Sequence, residues 1–167
     1  MTATVDAPAS ARPEPVSIPD LVARKRQGRR FAMVTAYDHP TARLAAEAGI
    51  PVLLVGDSVG NNVLGYASTL PVTMEEMLHH ARAVARGAPD RVLVGDMPFG
   101  SYHASDADAI ANAVAFVKAG MHSVKVEGGG RVAGVVRLLV ERGIPVMGHL
   151  GLTPQHAHAQ GGFRVQG

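Results

Sequence analysis

Apolar residues in this chain fall into short unbroken runs, and amphipathic stretches fill the gaps between them. Phe31 to Ala36, Pro51 to Val55, Arg91 to Gly95, Ser123 to Val126 and Pro145 to Gly148 each read as a strand. Runs without polar alternation belong to parallel strands covered on both faces. Between them, His39 to Gly49, Thr73 to Arg86, Ser105 to Ala119 and Arg131 to Arg142 read as helices. Gly49, Gly120 and Gly143 stand where a left-handed stop is wanted. Thr73 followed by Glu76 is a capping-box pattern. An earlier helix opens at Ser17, carries Pro19 in its first turn and ends near Gly28. The last stretch, Leu150 to Gly167, shows no helix signal.

Strands that alternate with helices, without hairpin turns, imply right-handed βαβ crossovers. Two closures satisfy that rhythm, a doubly wound sheet and a (β/α)₈ barrel. No Gly-x-Gly-x-x-Gly follows the first strand, which lowers the dinucleotide-binding option. A full barrel takes about 250 residues, and this chain has 167. The expectation is therefore an α/β fold, a (β/α)₈ TIM barrel truncated after about five β/α units. Residues 1–16, with prolines among Ala, Ser and Thr, read as a flexible leader. Residues 17–167 read as the N-terminal part of a single catalytic domain.

Composition removes several classes of partner. The net charge is only +2 and no block of like charge occurs, so the basic stripe of a nucleic-acid binder is missing. With no cysteine there is no disulfide framework, thiolate metal site or thiol nucleophile. No apolar run approaches the roughly 20 residues that cross a bilayer. The start has no apolar core after a basic segment, unlike a secretory signal. The expected location is the cytoplasm, with no membrane partner.

The position of the acids is more telling. Strand two ends in Val55-Gly56-Asp57-Ser58, strand three in Val94-Gly95-Asp96, and strand four runs Val124-Lys125-Val126-Glu127. Parallel barrel strands open their C-terminal ends on one face, so Asp57, Asp96 and Glu127 are expected to converge there. Carboxylates so placed raise one another's pKa, and a divalent cation removes the conflict. Hard oxygen donors suit Mg²⁺. Lys125 precedes Glu127 by two residues, so both point to the same face, and its ammonium suits a substrate carboxylate. Ser58 adds a hydroxyl or backbone N–H donor.

Blander readings stand beside these. An Asp after a strand, taken singly, is a helix N-cap or turn residue, and Lys125 could simply pair with one acid. His149, directly after strand five, is a substrate-positioning candidate or a structural hydrogen-bonding group. His79 and His80 read as a solvated helix face, and His156 and His158 as loop residues. Gly128-Gly129-Gly130 reads as a loop before a phosphate cradle. No His-Glu-x-x-His pattern supports a zinc protease, and a serine-hydrolase reading is not adopted.

Five strings, in order, resemble one family. They are Thr35-Ala36-Tyr37-Asp38, Val55-Gly56-Asp57-Ser58-Val59-Gly60, Ser68-Thr69-Leu70-Pro71-Val72-Thr73, Lys125-Val126-Glu127-Gly128-Gly129 and Gly148-His149-Leu150-Gly151-Leu152-Thr153-Pro154-Gln155. Together they resemble the ketopantoate hydroxymethyltransferases, from about Ser17 to Gly167. The resemblance implies a (β/α)₈ barrel with Mg²⁺ held by Asp57, Asp96 and Glu127. It implies that 3-methyl-2-oxobutanoate meets Asp57, Ser58, Asp96 and Lys125. It also implies 5,10-methylenetetrahydrofolate as one-carbon donor, 2-dehydropantoate as product on the route to pantothenate, and a homo-oligomer, often a decamer. The family's general base is a glutamate beyond residue 167, so no catalytic base is assigned here and residues 1–167 alone are expected to be inactive. The runner-up readings are a phosphoenolpyruvate mutase or isocitrate lyase-like enzyme, whose Lys-Lys-Cys-Gly-His string is absent, and a non-catalytic remnant of the barrel.

Overall fold

Five parallel strands, paired in the order in which the chain makes them, form the frame. The computed structural model of the chain describes residues 14–160. Its strands are β1 (Met33–Thr35), β2 (Val52–Val55), β3 (Val92–Asp96), β4 (Ser123–Glu127) and β5 (Val146–His149). The helices are α1 (Ile18–Arg26), α2 (His39–Glu47), α3 (Met74–Gly87), α4 (Asp106–Lys118), α5 (Ala133–Glu141) and a short α6 (Ala157–Gln160). All four strand pairings are parallel and the order is β1-β2-β3-β4-β5. A doubly wound sheet reverses its order at a switch point. No reversal occurs here, so the sheet is an arc of a barrel.

Helix starts follow the cap chemistry. The Ser17 side chain accepts from the Asp20 N–H, and the Asp20 carboxylate accepts from the Ser17 N–H, closing a capping box. Thr73 and Glu76 do the same at α3. Asp38 caps α2 through Thr41 N–H at 2.8 Å, so this post-strand acid is indeed a cap. Asp57 and Asp96 are not.

Strand parity sorts the side chains. Leu53, Val55, Leu93, Val124 and Val126 point outward into the main core with Met77, Phe116 and Leu139 of the helices. Val52, Val92 and Val94 point inward, where Val16, Ile18 and Leu21 pack beneath them. Asp96 shares the inward parity of Val92 and Val94, and Lys125 shares that of Glu127. Asp96, Lys125 and Glu127 thus face the inside of the arc, and Asp57 follows the end of β2. Gly95 has outward parity, and a Cβ there would come within 2.4 Å of Phe116 Cδ1. The closeness of α4 to β3 requires glycine.

Several expectations need correction. The central strands β3 and β4 are buried throughout, but β1 is exposed at all three residues and β5 is only half-buried. The first and last strands of the arc each have one strand neighbour among the described residues, so an apolar run there does not imply burial. Leu150 to Gly167 is not without helix: a 3₁₀ turn at Pro154–His156 leads into α6. Residues 161–167 lie outside the described residues, as do residues 1–13 of the expected leader. At residues 14–16, the Glu14 carbonyl accepts from Arg91 Nη1 at 2.8 Å, and Val16 N–H donates to the Asp90 carbonyl at 3.2 Å. No helix among the described residues is long and apolar enough to cross a membrane.

Candidate active site

The C-terminal ends of β2, β3 and β4 bring Asp57, Asp96 and Glu127 to one buried place. Their exposures are 4%, 2% and 1%, too low for acids held only by solvent. Asp57 N–H donates to Asp96 Oδ2 at 3.0 Å, tying the first two acids directly. Asp96 and Lys125 are register partners across β3 and β4, as Glu127 and His149 are across β4 and β5.

Lys125 sits among the acids. Its Nζ is 2.7 Å from Asp96 Oδ1 and 3.8 Å from Glu127 Oε2. The shorter contact is a buried ion pair. His149 Nδ1 lies 3.0 Å from Glu127 Oε2 and 3.5 Å from Lys125 Nζ. Placing the proton on Nδ1 satisfies the shorter contact, which makes His149 a donor to Glu127. That is the structural alternative for His149.

Burial pushes the Asp96 carboxyl up to about 7, with the Asp57 charge raising it further and Lys125 opposing. The main cause is the removal of the carboxylate from water, which Lys125 offsets only in part.

Two residues overlooked in the sequence complete the cluster. Gln155, 4% exposed, donates from Nε2 to Asp57 Oδ2 at 2.9 Å and to the Met97 carbonyl at 3.0 Å. Its backbone N–H donates to Glu127 Oε1 at 2.8 Å. Tyr102 O–H donates to Gln155 Oε1 at 2.8 Å. Asp57 and Asp96 therefore meet directly, while Gln155 stands between Asp57 and Glu127 and Lys125 between Asp96 and Glu127. Among the described residues, no three His, Asp or Glu side chains already stand at the spacing of a metal centre. The donor chemistry nonetheless suits a hard cation, because Asp57, Asp96 and Glu127 are buried oxygen donors at neighbouring strand ends.

Ser58 is half-buried and faces Tyr37, hydroxyl to hydroxyl, at 2.8 Å. Asn62 Nδ2, on the π-helical turn Gly60–Leu64, donates to the same Tyr37 oxygen at 2.8 Å. Gly56-Asp57-Ser58-Val59-Gly60 does have the Gly-x-Ser-x-Gly spacing of a nucleophile elbow. Its serine contacts a tyrosine rather than a histidine base, so the geometry supports binding and not acyl transfer. His80 is not on a solvated face as expected, since its Nδ1 meets the Tyr37 carbonyl at 2.7 Å. An open cavity of about 490 Å³ adjoins the cluster, lined among others by Asp57, Ser58, Asp96, Lys125, Glu127 and His149.

The fold has counterparts among solved structures. The solved 2,3-dimethylmalate lyase, a PEP mutase/isocitrate lyase superfamily member, has a similar fold at TM-score 0.60 and 18% identity. The match covers 78% of this chain and 51% of that one. A phosphonopyruvate hydrolase solved with oxalate and Mg²⁺ matches at TM-score 0.60 and 16% identity, over 78% and 50%. At such identities the likeness concerns the barrel fold alone.

The sequence relatives are much nearer. The 3-methyl-2-oxobutanoate hydroxymethyltransferase of Heliobacterium modesticaldum is 57% identical over 153 residues, 91% of this chain and 55% of that protein. That of Thermotoga maritima is 59% identical over 145 residues, 86% and 54%. The chain spans a little over half the length of these curated relatives. Residues 15–167 also match the family described as ketopantoate hydroxymethyltransferase. The chain belongs to the ketopantoate hydroxymethyltransferase family.

Proposed function

We propose that this chain carries the cation- and oxo-acid-binding part of an enzyme that makes 2-dehydropantoate on the route to pantothenate. In this reading a hydroxymethyl group passes from 5,10-methylenetetrahydrofolate to 3-methyl-2-oxobutanoate. The observation that carries it is the gathering of Asp57, Asp96 and Glu127 at neighbouring strand ends, with Lys125 between Asp96 and Glu127, in a chain of this family.

Asp57, Asp96 and Glu127 are the residues that would hold Mg²⁺. When bound, the ion supplies Lewis-acid polarisation of the 2-oxo group, which makes the proton on the adjacent carbon easier to remove. The chain's own residues have separate tasks. Lys125 Nζ, only about a tenth exposed, supplies fixed positive charge for the substrate carboxylate and needs no reorganisation to do so. Ser58 Oγ, held by Tyr37, offers a hydroxyl to the same group. The burial of this cluster keeps bulk water from weakening those contacts. No residue of this chain is assigned the proton abstraction. Homo-oligomeric assembly belongs to the same reading. The fold neighbour solved with oxalate and Mg²⁺ supports the pairing of a chelating small acid with a divalent ion on this fold.

The test is calorimetric titration of the chain with Mg²⁺ and 3-methyl-2-oxobutanoate. The expected result is oxo-acid binding that requires Mg²⁺ and is lost in Asp96→Asn. Oxo-acid binding that ignores Mg²⁺ and survives Asp96→Asn would reject the reading.

A further inference from the structure

Gln155 is uncharged, nearly fully buried and assigned no ligand by the reading above, yet it contacts the ends of three strands. Its side chain reaches Asp57 after β2 and the Met97 carbonyl after β3, and its backbone N–H reaches Glu127 at the end of β4. The amide has one acceptable orientation. Asp57 Oδ2 and the Met97 carbonyl can only accept, so both face Nε2, while the Tyr102 hydroxyl donates to Oε1. Turned over, the amide oxygen would oppose a carboxylate and a carbonyl.

We propose that Gln155 is a positioning residue for the cation site, fixing the orientations of Asp57 and Glu127 by engaging one oxygen of each. The inference rests on the proposed placement of a divalent cation among these acids. Carboxylates that ligate metals depend on hydrogen bonds from behind to keep their orientation. An amide meets that need without altering the local charge. A lysine in its place would compete with the cation, and a glutamate would add a fourth acid. Gln155 takes Asp57 Oδ2 and leaves Oδ1 without a hydrogen-bond partner among the described residues. The Tyr102 hydroxyl fixes which end of the amide faces Asp57, and it also meets the backbone of Glu127, 3.2 Å from the carbonyl and 3.3 Å from the N–H.

The test uses Mn²⁺ as the probe, read by electron paramagnetic resonance on the whole chain, with circular dichroism reporting the folded fraction. Gln155→Leu keeps comparable bulk and the backbone N–H but loses the amide. It is expected to weaken Mn²⁺ binding by about 10- to 100-fold, the usual effect of losing a group behind a metal ligand, and to change the shape of the bound spectrum. Tyr102→Phe is expected to move both in the same direction by less, and it carries the test if Gln155→Leu does not fold. A role confined to holding the fold would leave affinity and spectrum unchanged in the folded fraction, and that result overturns the proposal. Failure of the starting protein to bind Mn²⁺, with Asp96→Asn indistinguishable from it, overturns the cation reading and this inference together. Tight binding unaffected by either variant overturns the inference alone.

Discussion

Asp96 and Lys125 are opposite residues on neighbouring parallel strands, and their charged ends meet at 2.7 Å inside the arc. One ammonium thereby serves a place where three acids gather. Removing one partner of a buried ion pair costs about 3–5 kcal/mol, so Lys125→Met should lower stability in urea by about 3 kcal/mol near neutral pH. Asp96 has the less common sign for an acid. Its folded pKa is raised from 3.8 to about 7, so its contribution to stability is best below 3.8 and declines as pH rises towards 7. The gap between Lys125→Met and the starting protein should therefore narrow on acidification. Equal stability of the two proteins at neutral pH would refute this account.

Glu76 has the opposite sign. The Tyr66 hydroxyl, and then the Thr73 N–H, hold its carboxyl below the ordinary 4.5. The folded pKa lies under the unfolded one, so the stabilisation is present above 4.5 and is lost as pH falls through the folded value. Glu76→Gln should lower the urea midpoint near neutral pH, and the difference should vanish in acid. Thr73→Ala, which removes the other half of the box, should cost about 1 kcal/mol.

Gly95 is fixed by its neighbour rather than by its backbone angles. A methyl group there meets Phe116 at 2.4 Å, and overpacking of this kind costs about 1–3 kcal/mol. Gly95→Ala should lower the thermal midpoint, and Phe116→Leu added to it should restore part of the loss. Strict additivity of the two changes would show that the contact does not set the cost.

Asn62 Nδ2 donates to the Tyr37 oxygen, an arrangement that lets the tyrosine's proton go to Ser58 Oγ. The Ser58 proton is then available to a ligand. Tyr37→Phe breaks that relay, and 3-methyl-2-oxobutanoate binding in the presence of Mg²⁺ should weaken by about 1 kcal/mol, or about fivefold. Calorimetry checks this, with Asn62→Ala expected to give a smaller loss in the same direction.

The sequence made the α/β rhythm, the helix caps and the convergence of Asp57, Asp96, Lys125 and Glu127 legible. Each follows from a short-range rule, a two-residue strand parity or an N-cap three residues from its partner. Gln155 was legible only as part of a matching string, because a glutamine in a loop carries no charge or period to mark it. Its importance comes from a contact with Asp57 98 residues away. Exposure of β1 was hidden for a related reason: Met33-Val34-Thr35 has the composition of a central strand, and only its place in the sheet order leaves it bare. His80 was misread because helix periodicity says nothing about a carbonyl presented by another loop.

Because spatial order in the sheet copies order in the chain, every strand pairing closes a loop only one β/α unit long. Such local pairings cost little entropy to form. The bond from Gln155 to Asp57 spans 98 residues, so closure of the polar centre depends on all the strands between them.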